Sequence, residues 1–434
     1  MEKLLHYVWK HKLFPLKQLS TIDGRSVEVI DTGLHNHNAG PDFFNAKIRI
    51  DGVDWVGNVE LHIKASQWYQ HGHDRDAAYN NVILHVVTES DREVCDMDGK
   101  VLNQLVLQIP DSLRANYETL LTEDRYPRCH KAIPSIDRLT IHSWMSALVT
   151  ERMERKSVDI LERLKQSNGS WEDAFFQTLA RNYGFGVNSD AFEVWAKSFP
   201  IHCIDHHRDD LFQIEALFLG QAGLLNPFAI QERHRENAEH DSYFHRLRSE
   251  YTFLSHKFQL TPIDYKQWRY LRLRPQNFPQ IRLSQLAMLY YKRKGGMREL
   301  LECTTIAELT KALDTESTDY WTTHYVFGEE SEKAAKKMSA SSRQLIILNT
   351  VIPLLFAYGR YRRDEVYVER AINLLEQLKA EDNNIVRLWK ECGLSVSNAA
   401  DSQALIQLKN EYCDKKECLR CRIGYRFLKK TDNT

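Results

Sequence analysis

Hydrophobic residues in the first quarter of the chain recur mainly with period two, the spacing of strands that bury one face. Ser26 to Asp31 alternates as a short strand. Phe44, Ala46, Ile48 and Ile50 alternate with Asn45, Lys47 and Arg49 as far as Asp51-Gly52, a favoured hairpin turn. The returning strand places Trp55, Val59, Leu61 and Ile63 on one face and Asn58, Glu60, His62 and Lys64 on the other. Val82 to Val87 is almost continuously apolar, as in a central strand covered on both sides, and Val101 to Ile109 supplies one more strand. A helix over Glu2 to His11 leads them. From Ile136 the period lengthens to 3.6, which predicts helices over Leu139 to Leu164, Trp171 to Tyr183, Asp209 to Leu225, Leu283 to Tyr291, Ser342 to Tyr358 and Asp364 to Leu378. The fold class expected is α/β plus α. An α/β domain with a mixed sheet spans 1–128, and a larger α-helical domain with a C-terminal cysteine cluster spans 129–434.

Charge adds little to this picture, because 58 Lys and Arg balance 59 Asp and Glu. A composition 43 % hydrophobic and 27 % charged excludes disorder as the main state. The N-terminus lacks the uninterrupted apolar stretch of a signal peptide, so a cytoplasmic location is expected. The most apolar run, Leu345 to Ala357, contains Asn349 and Pro353 and is shorter than the roughly 20 residues of a membrane span. It reads as a core helix, and no membrane partner is expected. Nothing in the sequence indicates an oligomeric state.

The chemistry concentrates around Gly40-Pro41-Asp42 and Glu60-Leu61-His62-Ile63-Lys64. Neighbouring strands lie about 5 Å apart, so Asp42 and Glu60 could share one hard divalent cation, Mg²⁺ or Mn²⁺, and leave sites for water and phosphate oxygens. His62 and Lys64, further along the same face, could orient the attacking water or stabilise charge on phosphorus. A helix, a strand, a Pro-Asp before a hairpin and a strand bearing an acid and a base resemble the PD-(D/E)xK nuclease superfamily over residues 1–110. The resemblance implies a helix, a β-meander, a second helix and a further strand. Asp42 matches the motif's Asp and Glu60 its Asp/Glu, but His62 stands where the lysine belongs and Lys64 lies two residues on. Ser66 to Asn80 is a poor helix, so the second helix should be short or irregular. The bland alternative makes Glu60, His62 and Lys64 the solvated face of an ordinary sheet. His35, His37, His62, His71, His73 and His85 also lie here, and the two His-x-His pairs offer a zinc site instead.

A second constellation is Cys413-x4-Cys418-x2-Cys421. Three thiols this close suggest zinc or an iron–sulfur cluster, with a fourth ligand from elsewhere. Cys129 is preferred to Cys392. The set is similar to the cysteine clasp of some PD-(D/E)xK nucleases that hold an iron–sulfur cluster, except that there the clasp flanks the core and here Cys129 follows it. The alternative is a set of ordinary thiols.

Lys257 to Arg298 carries ten Lys and Arg against one acid, Asp264, interleaved with aromatics such as Trp268, Tyr270 and Tyr290. Arg269, Arg272, Arg274, Lys292, Arg293 and Lys294 are therefore candidate nucleic-acid contacts, unless the aromatics belong to the core. A smaller basic excess lies between Lys409 and Lys430. As a whole the chain resembles a bacterial family, common in Bacteroidetes, labelled a domain of unknown function. The residues that prompt this are His35 to Phe43, Val59 to Lys64, Glu151 to Lys156 and the closing cysteines. The function expected is metal-dependent hydrolysis of DNA or RNA phosphodiesters. The alternatives are a degenerate nuclease that only binds nucleic acid, or a protein-binding scaffold with a structural metal.

Overall fold

In the computed structural model, which describes residues 1–15, 19–36, 38–292 and 296–429, the chain forms two compact units. The first contains Met1–Trp144, Leu388–Leu394 and the segment from Leu408; the second contains Met145–Arg387 and Ser395–Gln407. The first unit is mixed α/β and the larger second unit is mainly helical. A linear cut between 128 and 129 differs from this division, because two C-terminal segments return to the first unit.

The strands of the first unit are β1 (Leu19–Ser20), β2 (Ser26–Asp31), β3 (Leu34–His35), β4 (Phe43–Ile50), β5 (Val53–Lys64), β6 (Val82–Glu89) and β7 (Gln104–Val106). They form one sheet of order β1-β2-β4-β5-β6-β7, with β3 added beside β4. Pairing is antiparallel as far as β5, then parallel from β5 to β6 and from β6 to β7. Asp51 and Gly52, both at positive φ, make the tight turn between β4 and β5. The ladder runs in register from Ile50↔Val53 to Ala46↔Gly57, then shifts before Phe43↔Val59. Asn45, at φ 56°, lies in that bulge and turns the start of β4 toward β5. Of the predicted strand over 101–109 only β7 forms, because only the residues opposite His85, Val86 and Val87 find ladder partners.

Parallel strands need a crossover, and here it is short. A single helical turn, α2 (Gln67–Gln70), and two 3-10 turns at His73–Arg75 and Ala77–Tyr79 join β5 to β6. Trp68 and Tyr79 pin this crossover by packing with Val82, Val87, Val94 and Leu102 in a buried cluster. Helix α1 (Glu2–Lys10) buries Leu4, Leu5, Val8 and Trp9, and the Trp9 indole donates to the Thr32 carbonyl at 3.1 Å. Helix α3 (Asp111–Thr122) follows β7.

In the second unit the long helices are α4 (Arg138–Gln166, whose first turns precede the boundary), α5 (Trp171–Tyr183), α6 (Leu211–Gln221), α7 (Ser242–Phe258), α8 (Pro279–Tyr291), α9 (Ala340–Arg362) and α10 (Glu365–Gln377). Helix α9 extends the apolar run into polar flanks, reaching 23 residues, long and apolar enough to cross a membrane by length and composition. Its most apolar stretch is 61 % buried inside the protein, as a core helix requires. A π turn at Ile347–Val351 accommodates the approach to Pro353. The C-terminal helix of the first unit, α11, spans Arg422–Leu428.

Candidate metal centre

Gly40, at φ 102°, and Pro41 deliver Asp42 to the start of β4. There the two acids lock onto each other's strands. The Asp42 backbone N–H donates to Glu60 Oε2 at 3.0 Å, and the Leu61 N–H donates to Asp42 Oδ2 at 3.0 Å. The other Glu60 oxygen, Oε1, lies 3.2 Å from His73 Nε2 and 3.6 Å from His62 Nε2. His62 Nε2 lies 3.1 Å from His71 Nδ1, and its Nδ1 lies 2.9 Å from His85 Nε2. The parallel register sets His85 directly beside Glu60. From α1, His6 Nε2 reaches within 3.3 Å of Asp42 Oδ2.

Neighbouring ligand atoms on a tetrahedral ion with bonds of roughly 2.0–2.1 Å lie about 3.3 Å apart. The approaches around Glu60 Oε1 and His62 Nε2 bracket that spacing. His62, His71 and His73 form the described set of three whose ligating atoms all lie within 4.8 Å of one another. His73 Nε2 is buried and, although close to Glu60, is not aligned for a hydrogen bond. A buried imidazole nitrogen without a proton partner is what a metal ligand presents. The donor set of carboxylate and imidazole fits Mn²⁺ or Zn²⁺ better than Mg²⁺, which prefers oxygen.

The electrostatics agree with a cation site. Burial, reinforced by His85, His73 and His71, pushes the His62 imidazole down to about 2, and burial pushes His85 down to about 3, so both stay neutral. Burial raises Glu60, partly offset by His73 and helped by the Asp42 charge. For His6 burial opposes the charged form, but the hydrogen bond and charge of Asp42 prevail and raise it. The Tyr79 ring stacks on His73 with centroids 3.8 Å apart, and burial followed by the charges of Glu60 and Asp42 pushes its hydroxyl up to about 12.

Lys64 does not join this group. It lies at the exposed end of β5, where its Nζ pairs with Glu89 at 3.1 Å, about 13 Å along the strand from Glu60. His62 stays neutral, and beside the carboxylates His6 is the imidazole whose pKa is raised. His85 belongs to the histidine excess of this segment, whereas nothing in the sequence marked His6, which rides on a mostly apolar helix.

The cysteines gather elsewhere in the same unit. Cys129, Cys413, Cys418 and Cys421 line one cavity of about 210 Å³; Cys392 does not. In the second unit Arg269, Arg272, Arg274 and Lys292 are exposed, whereas Arg293 and Lys294 lie outside the described residues. Of the interleaved aromatics, Trp268 is buried with its indole on the Ala222 carbonyl and Tyr290 is buried as well, whereas Phe258, Tyr265, Tyr270 and Phe278 are half-buried and Tyr291 is exposed.

A comparison with protein families places this centre in context. Residues 2–384 match the family described as protein of unknown function (DUF2851). The chain belongs to this family. The DUF2851 match includes both carboxylates, the histidines and Cys129, and ends before the C-terminal cysteines. No curated protein and no solved structure matches the chain.

Proposed function

We propose that this DUF2851 protein is a metal-dependent nuclease of the PD-(D/E)xK type, centred on Asp42 and Glu60. The observation that carries the reading is the reciprocal lock of the two carboxylates, which fixes an acid pair on adjacent strands and turns Glu60 Oε1 into a histidine-rich site. The order of helix, antiparallel strands, short crossover helix and parallel strand supports it. Asp42, Glu60 and His73 would hold the metal, with His62 and His71 closing the same shell. Bound there, a divalent cation supplies Lewis acidity and a water of lowered pKa. The protein's own contributions are the imidazoles that complete the cation's shell and His6, placed beside Asp42 to stabilise the phosphorane's negative charge. The function of the motif's lysine thus passes to a residue from α1.

A groove of about 1130 Å³ runs beside α1 and supports a polyanionic substrate. Lys3, Lys10, Arg420 and Arg422 line it along with His6 and His35, against the acids Glu2 and Glu417. This groove is a second basic surface besides the exposed arginines of the 257–298 window.

The test is cleavage of labelled single-stranded and duplex DNA and RNA with Mn²⁺, Zn²⁺ or Mg²⁺. Wild type should cut best with Mn²⁺ or Zn²⁺, and Glu60→Gln and Asp42→Asn should each cut at least about 100-fold more slowly. Binding without cleavage would favour the degenerate reading. Neither binding nor cleavage at low salt would favour the scaffold.

A further inference from the structure

Four cysteines of the first unit come from two places in the sequence and line one cavity. Cys129 follows α3, while the π turn Leu408–Cys413, the 3-10 turn Cys418–Arg420 and the start of α11 bring in the others. Helix α11 approaches closely because residue 424 is glycine: a Cβ there would lie 2.2 Å from the Cys418 carbonyl oxygen.

The donors around the sulfurs are numerous. The Tyr126 hydroxyl donates to the Cys413 sulfur while accepting the Trp389 indole N–H at 2.9 Å. The backbone N–H groups of Ile423 and Gly424 donate to Cys421, and the Trp144 indole lies beside the same atom. Four cysteines that converge on one cavity, with Cys413 and Cys421 accepting hydrogen bonds from their surroundings, make a donor set suited to a metal that binds thiolate.

Spacing chooses between the cations. Four thiolates on one zinc ion, with bonds of about 2.3 Å, stand roughly 3.8 Å apart. A cube of four irons with one thiolate on each spreads its ligands to roughly 6 Å. Among the described residues the histidine triad is the set of three ligating atoms within 4.8 Å of one another, so these sulfurs are spread more widely than zinc requires. They surround a cavity instead.

We infer that Cys129, Cys413, Cys418 and Cys421 hold a four-iron, four-sulfide cluster rather than a single zinc ion. Cys421 lines both this cavity and the basic groove, next to Arg420 and Arg422, so the cluster fixes one wall of the groove. The inference concerns a site separate from the carboxylate centre and does not depend on catalysis there.

The experiment is anaerobic reconstitution of the full-length chain with ferrous iron and sulfide, then assay of iron, zinc and acid-labile sulfide. Labile sulfide is the deciding quantity, because iron alone could also enter the histidine site. Expected are about four iron and four sulfide per chain, with a broad absorbance near 400 nm that dithionite bleaches. Cys413→Ser and Cys129→Ser should each lose at least about five-sixths of the sulfide, while Cys392→Ser and Glu60→Gln retain it. One zinc per chain without labile sulfide, or reconstituted wild type without sulfide, would overturn the inference whether or not the variants fold.

Discussion

His62 shows how one residue's surroundings set the chemistry of the whole centre. Its pKa of about 2, and that of about 3 for His85, compare with 6.5 for an unperturbed histidine. Between these limits the unfolded chain binds protons that the folded chain refuses. These two residues therefore make stability rise with pH, and that contribution is lost as pH falls below about 6.5. Glu60 and His6, both raised, act in the opposite sense: their stabilisation is present at low pH and lost as pH rises through their folded values. The difference between wild type and His62→Gln isolates one histidine. In metal-stripped protein, wild type should lose up to about 1.4 kcal/mol more stability per pH unit on acidification below 6.5 than the variant. Urea unfolding at a series of pH values measures this, and parallel profiles would refute the assignment.

Strand pairing decides whether those residues meet. Glu60 faces His85 only because β5 and β6 run parallel in the register seen, and Gly57 permits their close approach. A Cβ at Gly57 would come within 2.8 Å of the Asn81 carbonyl and 2.4 Å of an Ile83 methyl. The backbone atom cannot yield as a side-chain end can. Gly57→Ala should cost roughly 1–3 kcal/mol and weaken metal binding, because the shift propagates to the Glu60–His85 pair. Chemical denaturation and metal titration of the same variant check both effects; unchanged values in both would show that the pairing tolerates displacement. The crossover over 66–80 obeys the same logic from the other side. Too poor in helix formers for a regular helix, it folds as short turns whose shape is held by Trp68 and Tyr79, and these turns place His71 and His73 over the sheet.

At the scale of the whole molecule, the first unit is not finished by the first third of the chain. Trp389 is fully buried there, and its indole reaches Tyr126. On α11, Ile423, Phe427 and Leu428 are buried, and Asn116 of α3 donates to the Leu428 carbonyl at 3.2 Å. Removing four such apolar side chains forfeits roughly 1.5–3 kcal/mol each, more than a domain's usual net stability can absorb with ease. A fragment ending at Trp144 should accordingly unfold at a markedly lower temperature than the full chain, or fail to fold cooperatively, as read by circular dichroism melting. A fragment as stable as the full chain would show that the C-terminal segments are dispensable.

Local pattern alone determined strands β2, β4, β5 and β6, several of the long helices, the turn at Asp51-Gly52 and the nearness of Asp42 to Glu60. Period, turn residues and a short hairpin act between near neighbours, so their consequences can be read in sequence. The same reading offered Lys64 to the centre by analogy and left open whether the aromatics of the 257–298 window form a stacking surface or core. Tertiary structure alone decided that Lys64 pairs with Glu89, that His6 and His85 join the carboxylates, and that Trp268 and Tyr290 are core. It also brought the cysteines near the C-terminus to the cavity that Cys129 lines. The physical reason is the same in each case: these outcomes depend on contacts between residues far apart along the chain, set by sheet register, burial and crossover packing, and periodicity carries no information about them.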